Sequence, residues 1–206
     1  MMGRMIARRP VLTGVLAAIC GLALTLALGW WQTDGPGAPD RAVVLPDPIG
    51  EMTFDLVNHD GAPVGPEALT GAPAMVFFGF THCPDVCPTT LANISNWLDQ
   101  LGTDASEMNV IFVTVDPERD TPQEMRTYIG HFHPAIRGWT GPAEGVQAAL
   151  AAFGAQAEQV PLEDGNYTVN HSSGVYLFDA EGQFRTVIDY HEPSDFALPK
   201  VRQVLN

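Results

Sequence analysis

Cysteine is scarce in this chain, with three residues among 206, and the placement of the three is informative. Cys20 lies in a long apolar stretch, so Cys83 and Cys87 are the only thiols outside it. A lone disulfide closing so small a loop would constrain the unfolded chain little, which argues against a purely structural bridge. The pair can instead ligate a soft metal or cycle between dithiol and disulfide. Its spacing is one residue wider than the C-x-x-C of thioredoxin-type redox motifs, which favours a metal.

Basic residues are also scarce, with 10 Lys and Arg against 24 Asp and Glu. Three of the ten precede residue 31, which leaves seven basic and 24 acidic residues, a net charge of −17, in the rest of the chain. Proteins that bind nucleic acid neutralise its phosphates with Lys and Arg, so nucleic acid is not an expected partner. The acidic surface favours solubility, and attraction of a cation or a basic partner is the alternative.

Charge is absent altogether from residues 11–31, and roughly 20 apolar residues suffice for a helix to span a bilayer. Arginines precede this segment at positions 4, 8 and 9, and no basic residue follows until Arg41. The positive-inside rule therefore predicts residues 1–10 in the cytoplasm, a single-pass signal anchor in the inner membrane, and a globular domain in the periplasm. A cleaved signal peptide is the competing hypothesis, because Ala27 and Gly29 are small enough to mark a cleavage site.

Residues 32–46 contain glycine and proline without periodicity, and we expect them to link the anchor to a domain at 47–206. Residues 54–57 and the turn that follows them predict an N-terminal β-hairpin. Apolar runs bounded by turn signals predict further strands at 75–80, 110–115, 175–178 and 184–188. Helical spacing and capping residues predict helices at 89–101, from 121, at 146–153 and at 194–205.

The predicted order places a helix between two strands, which must then run parallel, and ends in a hairpin that adds antiparallel edges. This order predicts an α/β, thioredoxin-like domain with an N-terminal β-hairpin. Functional loops gather at the carboxyl ends of parallel strands in such sheets. Both the segment that carries the cysteines (residues 80–87, the cysteine segment) and the 116–121 loop follow such strands, so we expect them to be neighbours.

The cysteine segment directly precedes a predicted helix, whose positive end favours thiolates, the form of cysteine that binds metal. Two ligands are too few for a closed site, so one of the six histidines is a candidate third donor. His171 precedes the strand at 175–178, in a loop that the topology brings near the cysteines, although spacing alone leaves its role open. His82 is expected to tune Cys83. The remaining histidines are expected to face solvent or to cap backbone groups: His59, His131, His133 and His191.

Three segments resemble the motifs of the SCO/SenC family. They read FGFTHCPDVCP at 78–88, VDPERDTP at 115–122 and YTVNHS at 167–172. The similarity runs from about residue 49 to residue 205. An aspartate more often precedes the histidine of the third motif, and Asn170 stands there in this chain. Members of this family are membrane-anchored copper proteins that help to build the copper A centre of cytochrome c oxidase.

The resemblance implies that Cys83, Cys87 and His171 bind one copper ion, as Cu(I) or Cu(II), and that the chain is a metallochaperone rather than an enzyme. The implied partners are the copper-A-bearing subunit of cytochrome c oxidase and an upstream copper donor. Asp85 and Asp116 lie within matched motifs and are expected to tune copper affinity or partner docking, with backbone capping as the alternative for Asp116. Arg119 and Asp120 are expected to hold their own loop in place.

Two other functions stay open. A thiol–disulfide reductase acting on the oxidase cysteines would use Cys83 and Cys87 as a redox-active pair and would not need His171. A peroxiredoxin-like peroxidase would use a low-pKa cysteine near Thr81 and an arginine, and the close second cysteine fits that chemistry poorly. We also expect Cys83 and Cys87 to form a disulfide in an oxidising compartment when metal and reductant are absent.

Overall fold

The structure, a computed structural model, describes residues 9–33, 45–163 and 165–205. Helix α1 spans Arg9–Thr33, and the residues from 45 onward form a separate compact unit. Among the described helices, α1 alone is long and apolar enough to cross a membrane, over Gly14–Gln32. The apolar segment predicted at 11–31 is therefore helical. Most of the predicted linker lies outside the described residues, so the domain boundaries stay predictions.

Nine strands are present in the described part of the domain. They are β1 (Leu56–Asn58), β2 (Pro63–Val64), β3 (Ala74–Gly79), β4 (Asn109–Thr114), β5 (Ile136–Thr140), β6 (Ala157–Pro161), β7 (Tyr167–His171), β8 (Val175–Phe178) and β9 (Phe184–Ile188). Seven of them form one sheet in the order β2-β1-β5-β4-β3-β8-β9, and β6 pairs only with β7. At the centre β3, β4 and β5 run parallel, whereas β8 and β1 add antiparallel neighbours on the two sides. The expected thioredoxin-like α/β arrangement with an N-terminal hairpin is confirmed.

Three α-helices connect strands of the described domain, and a fourth, α5, follows the last strand. They are α2 (Val86–Leu101), α3 (Pro122–Ile129), α4 (Ala143–Ala152) and α5 (Ser194–Val204). Helix α2 begins three residues before the predicted start, so Cys87 lies in its first turn. Half of the predicted capping box of α3 is present: the Thr121 hydroxyl accepts a hydrogen bond from the backbone N–H of Glu124 at 3.3 Å, whereas the Thr121 backbone N–H donates to the backbone oxygen of Arg119. Proline at the first helical position has no N–H to leave unpaired, which fits the start of α3.

The core lies on both faces of the central strands, and every residue of β3 is buried. A parallel strand that is covered on both faces reads as a continuous apolar run, which is why residues 75–80 were recognisable as a strand. Phe77, Phe78 and Phe80 are core residues, as expected. The rings of Phe77 and Phe112 stack across β3 and β4 with centroids 5.8 Å apart. These contacts fix the carboxyl end of β3, from which the cysteine segment leaves.

The sequence pattern did not predict β5, β6 or β7. Strand β5 contains an exposed arginine and Gly138, so it lacks a clear apolar or alternating pattern. A Cβ at Gly138 would lie 3.1 Å from Cε of Met125, and this close packing of α3 explains the glycine. The β6–β7 hairpin is paired from Ala157 opposite His171 to Pro161 opposite Tyr167. Because β6 is largely exposed and contains few apolar residues, its sequence resembles that of a loop.

Candidate metal centre

The structure brings Cys83, Cys87 and His171 together. Their donor atoms all lie within 4.8 Å of one another, and Sγ of Cys87 is 3.4 Å from Nε2 of His171. Cys87 is buried, while Cys83 and His171 are partly exposed. Metal–sulfur and metal–nitrogen bonds of roughly 2.0–2.3 Å place two donors on one ion at most about 4.6 Å apart. Movements of a few tenths of an ångström therefore suffice for all three atoms to contact one metal ion.

Cys87 reaches this position because the residue beneath it has no side chain. A Cβ at Gly79 would lie 2.8 Å from Sγ of Cys87 and 2.7 Å from Cε2 of Phe112. The last residue of β3 therefore leaves room for the sulfur between the sheet and α2. The backbone N–H of Cys87 donates to Sγ of Cys83 at 3.3 Å, which is one of the N–H groups left free at a helix start. These groups and the helix dipole favour a negative sulfur.

The two thiols do not ionise independently. A hydrogen bond from the Cys87 side chain, helped by hydrogen bonds from the backbone N–H groups of Asp85 and Cys87, lowers the pKa of Cys83 to about 4 despite partial burial. The same hydrogen bond to Cys83, together with burial, raises the pKa of Cys87 well above its ordinary value. The reduced pair therefore holds one thiolate on Cys83 and one thiol on Cys87. The exposed sulfur is the nucleophile and the first atom that an incoming metal ion can meet.

His171 presents an unprotonated nitrogen to the sulfurs. Its Nδ1 lies 3.0 Å from the backbone oxygen of Ser172, and because an oxygen of this kind only accepts, Nδ1 carries the proton. Nε2 therefore has a free lone pair and faces Cys87. Ring contacts with Phe77 and Phe80 at centroid distances of 6.3 and 5.8 Å fix the orientation of the imidazole. A hydrogen bond from the distal nitrogen is the usual way in which proteins orient a metal-binding histidine.

Asp120 ties the cysteine segment to the 116–121 loop. Its buried carboxylate accepts hydrogen bonds from the Thr81 hydroxyl at 2.6 Å, the Thr81 backbone N–H at 3.0 Å and the Thr114 hydroxyl at 2.6 Å. Burial raises the pKa of this carboxyl, and the three hydrogen bonds oppose that effect. The expected proximity of the two loops is confirmed. Asp120 holds its loop as expected, but it does so through hydrogen bonds from Thr81 and Thr114 in place of the expected capping and ion pairing.

Asp116 and Arg119 face the β6–β7 hairpin. The buried Asp116 carboxylate pairs with Nε of Arg119 and accepts a hydrogen bond from the Tyr167 hydroxyl at 2.8 Å. Nη1 of Arg119 donates to the backbone oxygen of Tyr167 at 3.2 Å. The expected holding role of Arg119 is confirmed. A role of Asp116 in copper affinity or docking stays a prediction, since the described hydrogen bonds of its carboxylate come from Arg119 and Tyr167.

The remaining predicted residues lie around this centre. Asp85 is exposed at the N-cap position of α2 and makes no side-chain capping hydrogen bond, and its proposed tuning role stays a prediction. Nδ1 of His82 is 3.0 Å from the Thr81 hydroxyl, and its ring is 53% exposed, so it is not among the converging donors. His59 and His133 accept backbone hydrogen bonds through Nδ1. His131 and His191 are exposed, as predicted.

An open groove borders the site on the side of His171. Its volume is about 580 Å³, and its walls come from α4, the β6–β7 hairpin and the residues between them. Gln147, Glu158 and Asn170 contribute polar groups to its wall. His171 is also among the residues that line this groove, so one side of the site borders open space.

Sequence reasoning missed several residues that shape the centre. Gly79 had a recognisable signal, since a glycine inside an apolar strand often marks a close approach. The backbone oxygen of Ser172, which sets the tautomer of His171, had none, because any residue carries that oxygen. The contact of Arg119 with Tyr167 joins residues 48 positions apart and could not be inferred without the paths of both loops.

Comparison with known proteins agrees with this geometry. The profile of the SCO1/SenC family matches residues 46–206. The mitochondrial SCO2 homologue of Danio rerio is 40% identical over 146 residues, which cover 69% of this chain and 51% of that protein. The chain thus spans about half the length of this mitochondrial relative.

Solved structures also match. The structure of Bradyrhizobium japonicum ScoI with copper bound superposes with a TM-score of 0.70 and 36% identity, over 78% of this chain and 99% of that chain. BsSco, a member of the Sco family of cytochrome c oxidase assembly proteins in which a disulfide switch is identified, matches with a TM-score of 0.59 and 26% identity, over 74% and 91% of the two chains. The fold, the converging donor atoms and these similarities lead to one conclusion: the chain belongs to the SCO1/SenC family.

Proposed function

We propose that this protein is a copper metallochaperone that binds one copper ion through Cys83, Cys87 and His171 and delivers it to the copper A site of cytochrome c oxidase. The observation that carries the proposal is the convergence of two sulfurs and one imidazole nitrogen within 4.8 Å. Thiolates select soft ions such as Cu(I), and the imidazole lets the same site hold Cu(II), which prefers nitrogen. The match to a copper-bound ScoI supports copper over other soft metals.

The partly open site suits a carrier. Three ligands leave a position at which a thiolate or imidazole of a partner can attack the ion, so copper can pass by ligand exchange. Cys83, the more exposed sulfur, is the ligand that exchanges first, whereas Cys87 is held in the core. We infer that the acceptor is the copper-A-bearing subunit of the oxidase and that an upstream donor loads the site. Membership of BsSco in a family of oxidase assembly proteins supports this assignment.

A thiol–disulfide reductase acting on the oxidase cysteines is the second candidate. The observation in its favour is that the partly exposed Cys83 sulfur lies within 4.8 Å of a second free thiol, Cys87, which can resolve a mixed disulfide. Both activities can belong to one protein, since copper insertion requires reduced thiols on both partners. The disulfide switch of BsSco supports redox chemistry at this pair, as an accessory to copper transfer.

We further propose that α1 anchors the protein in the inner membrane with its domain in the periplasm. Large apolar side chains of α1 are exposed in the described part of the chain, as lipid contact requires. A phosphatase fused after residue 206 should be active in the periplasm of a bacterial host. An inactive fusion would contradict this orientation, and a mature N-terminus near residue 30 would replace the anchor with a cleaved signal.

The proposed ligand set can be tested by anaerobic Cu(I) titration of the reduced full chain in detergent. We expect one copper per chain and an X-ray absorption spectrum with sulfur and nitrogen neighbours. Cys20→Ser is the matched control and should bind like the parent. Cys83→Ser with Cys87→Ser should abolish tight binding. Stoichiometric binding by that double variant would contradict the proposal.

A further inference from the structure

The 116–121 loop contacts both halves of the proposed copper site. Through Asp120 it holds Thr81, two residues before Cys83. Through Arg119 it holds Tyr167, four residues before His171 on the same strand. One short loop therefore connects the element that supplies the sulfurs with the element that supplies the imidazole. Its two contacts are made by different side chains and can be broken separately.

Arg119 is held on several sides. Its guanidinium carbon lies 3.9 Å from the ring centroid of Tyr167 and 5.9 Å from that of Phe80. Its Nε pairs with the buried Asp116 carboxylate, and its Nη1 donates to the Tyr167 backbone oxygen. The Arg119 side chain is 20% exposed, and its Nη2 has no hydrogen-bond partner among the described residues. A planar, delocalised cation that stacks and donates in fixed directions can make this set of contacts, and a lysine cannot.

The β6–β7 hairpin has few neighbours of its own to hold it, so such a contact contributes to its placement. It forms a two-stranded sheet that is not paired with the seven-stranded sheet, and an isolated hairpin of two strands is marginally stable in water. Tyr167, Val169 and His171 lie on one face of β7 because side chains alternate along a strand. Val169 is buried, which turns this face toward the domain. A contact at Tyr167 therefore fixes the strand whose other end carries His171.

We propose that Arg119 is a positioning residue that, through Asp116 and Tyr167, holds the β6–β7 hairpin so that His171 stays within bonding distance of the sulfurs. The proposal rests on copper ligation by His171. It assigns to Arg119 a larger effect on the third donor than on the two cysteines. Arg119 meets the cysteine segment only at the Phe80 ring, 5.9 Å away, and Asp120 and α2 also hold that segment. Loss of Arg119 leaves a two-sulfur site with a displaced imidazole. The site then keeps affinity for Cu(I) and loses affinity for Cu(II).

The test compares Arg119→Gln with Arg126→Gln in the full chain in detergent. Arg126 is the matched control, because it also donates to a backbone oxygen, that of His59, and pairs with an aspartate, Asp60, on another part of the domain. We expect Arg119→Gln to weaken Cu(II) binding by roughly 10–100-fold, the range for groups that orient a metal ligand. Its Cu(II) electron paramagnetic resonance spectrum should shift toward that of His171→Ala. Cu(I) affinity should change much less, and Arg126→Gln should match the parent.

Two further variants separate positioning from general stability. Arg119→Lys keeps the charge beside Asp116 but loses the planar fork, so its Cu(II) spectrum should stay altered. Tyr167→Phe keeps the stacked ring and loses only the hydroxyl, so its effect on Cu(II) affinity should be smaller. In the metal-free protein, amide hydrogen exchange should accelerate in residues 157–171 of Arg119→Gln and stay unchanged in residues 74–79. Equal acceleration in both segments would indicate a global loss of stability and would overturn the positioning role.

The outcomes distinguish this inference from the function on which it rests. A parent chain that binds Cu(II) with a His171-dependent spectrum, and an Arg119→Gln variant with the same affinity and spectrum, would overturn the inference alone. A parent chain whose Cu(II) spectrum does not depend on His171 would overturn both. If Arg119→Gln does not fold, the decision passes to Arg119→Lys: a parent-like spectrum and parent-like exchange in residues 157–171 of that variant would overturn the positioning role.

Discussion

Sγ of Cys87 lies 3.4 Å from Nε2 of His171, although 84 positions separate the two residues in the chain. Cys87 comes from the first turn of α2 and His171 from the end of β7. The donor set therefore exists only when the sheet, α2 and the β6–β7 hairpin are all in place. Because an ion that binds only the folded protein stabilises it by mass action, copper should raise the temperature at which the domain unfolds.

Gly79→Ala tests the fit of Cys87 against β3. The new methyl group would lie 2.7 Å from Phe112 and 2.8 Å from Sγ of Cys87, both in the buried core. Overpacking of this kind typically costs about 1–3 kcal/mol of unfolding free energy. We also expect weaker Cu(I) binding, since the sulfur must move away from its partners. Denaturant unfolding and Cu(I) competition measure the two effects.

Gly50→Ala is the control for this prediction, because a Cβ at Gly50 meets no atom within 4 Å. It should change stability and copper affinity little. If Gly79→Ala proved as stable as Gly50→Ala and bound Cu(I) like the parent, the packing account of the Cys87 position would be wrong.

Air oxidation of the metal-free protein should produce a disulfide between Cys83 and Cys87. Both are free thiols in the described structure, and their sulfurs lie within 4.8 Å of each other. An external oxidant converts the more exposed Cys83 thiolate to a sulfenic acid, and the sulfur of Cys87 then attacks the Cys83 sulfur, which forms the disulfide and releases water. Mass spectrometry under non-reducing conditions should show the peptide that carries both residues two hydrogens lighter than the dithiol. Persistent free thiols at both positions after prolonged oxidation would contradict this prediction.

The pH dependence of alkylation tests the unequal ionisation of the two cysteines. At about pH 6 the low pKa of Cys83 leaves it as a reactive thiolate, whereas Cys87 stays protonated and buried. Peptide-resolved labelling of the reduced, metal-free protein should therefore modify Cys83 first. Its labelling rate should fall only as the pH drops toward about 4. Because folding lowers this pKa from 9.0, the thiolate stabilises the folded state above pH 9.0, and this contribution is lost as the pH falls through about 4.

Cys87→Ala is the informative variant for this measurement. The hydrogen bond from Cys87 is the largest cause of the low pKa of Cys83. Its removal should raise the pKa of Cys83 toward the ordinary value and slow labelling at about pH 6. Identical pH profiles of Cys83 labelling in the parent and in Cys87→Ala would show that the two thiols ionise independently and would contradict the coupling described above.

The sequence predicted those parts of the fold that have strong local patterns. Strand β3 reads as an uninterrupted apolar run because both faces are covered. The start of α3 is recognisable from its N-cap residue, Thr121. Strand β5 was not predicted, because Gly138 is selected by contact with Met125 and not by strand propensity. The β6–β7 hairpin was not predicted for a related reason. Contacts at one face hold it, such as that of Arg119 with Tyr167, and these contacts join residues that are distant in sequence.

In the candidate site, the proposed ligands were more predictable from the sequence than the groups that orient them. The cysteine pair follows from sequence alone, since only one short segment outside the apolar stretch at 11–31 contains cysteine. Spacing favoured His171 over the other histidines as the third donor but did not exclude them. The resemblance to the family motif identified His171. The groups that orient the proposed ligands could not be predicted. The contacts of the Ser172 backbone oxygen and of Asp120 depend on the paths of three separate loops. Asp116 was noticed in its motif, yet its contact with Tyr167 required β7 to be placed.

Copper binding by His171→Ala tests the central claim most directly. The variant keeps both sulfurs and loses the nitrogen that lies 3.4 Å from Cys87. We predict that Cu(II) binding falls by more than about 100-fold, because losing a ligand costs at least as much as losing a group that orients one. Cu(I) should bind more weakly through the two sulfurs, and thiol–disulfide exchange with a small-molecule thiol should change little. Cells with this variant should lack oxidase activity unless excess copper is supplied. If His171→Ala binds both copper states like the parent and supports normal oxidase activity, His171 is not a copper ligand and the reductase function takes precedence.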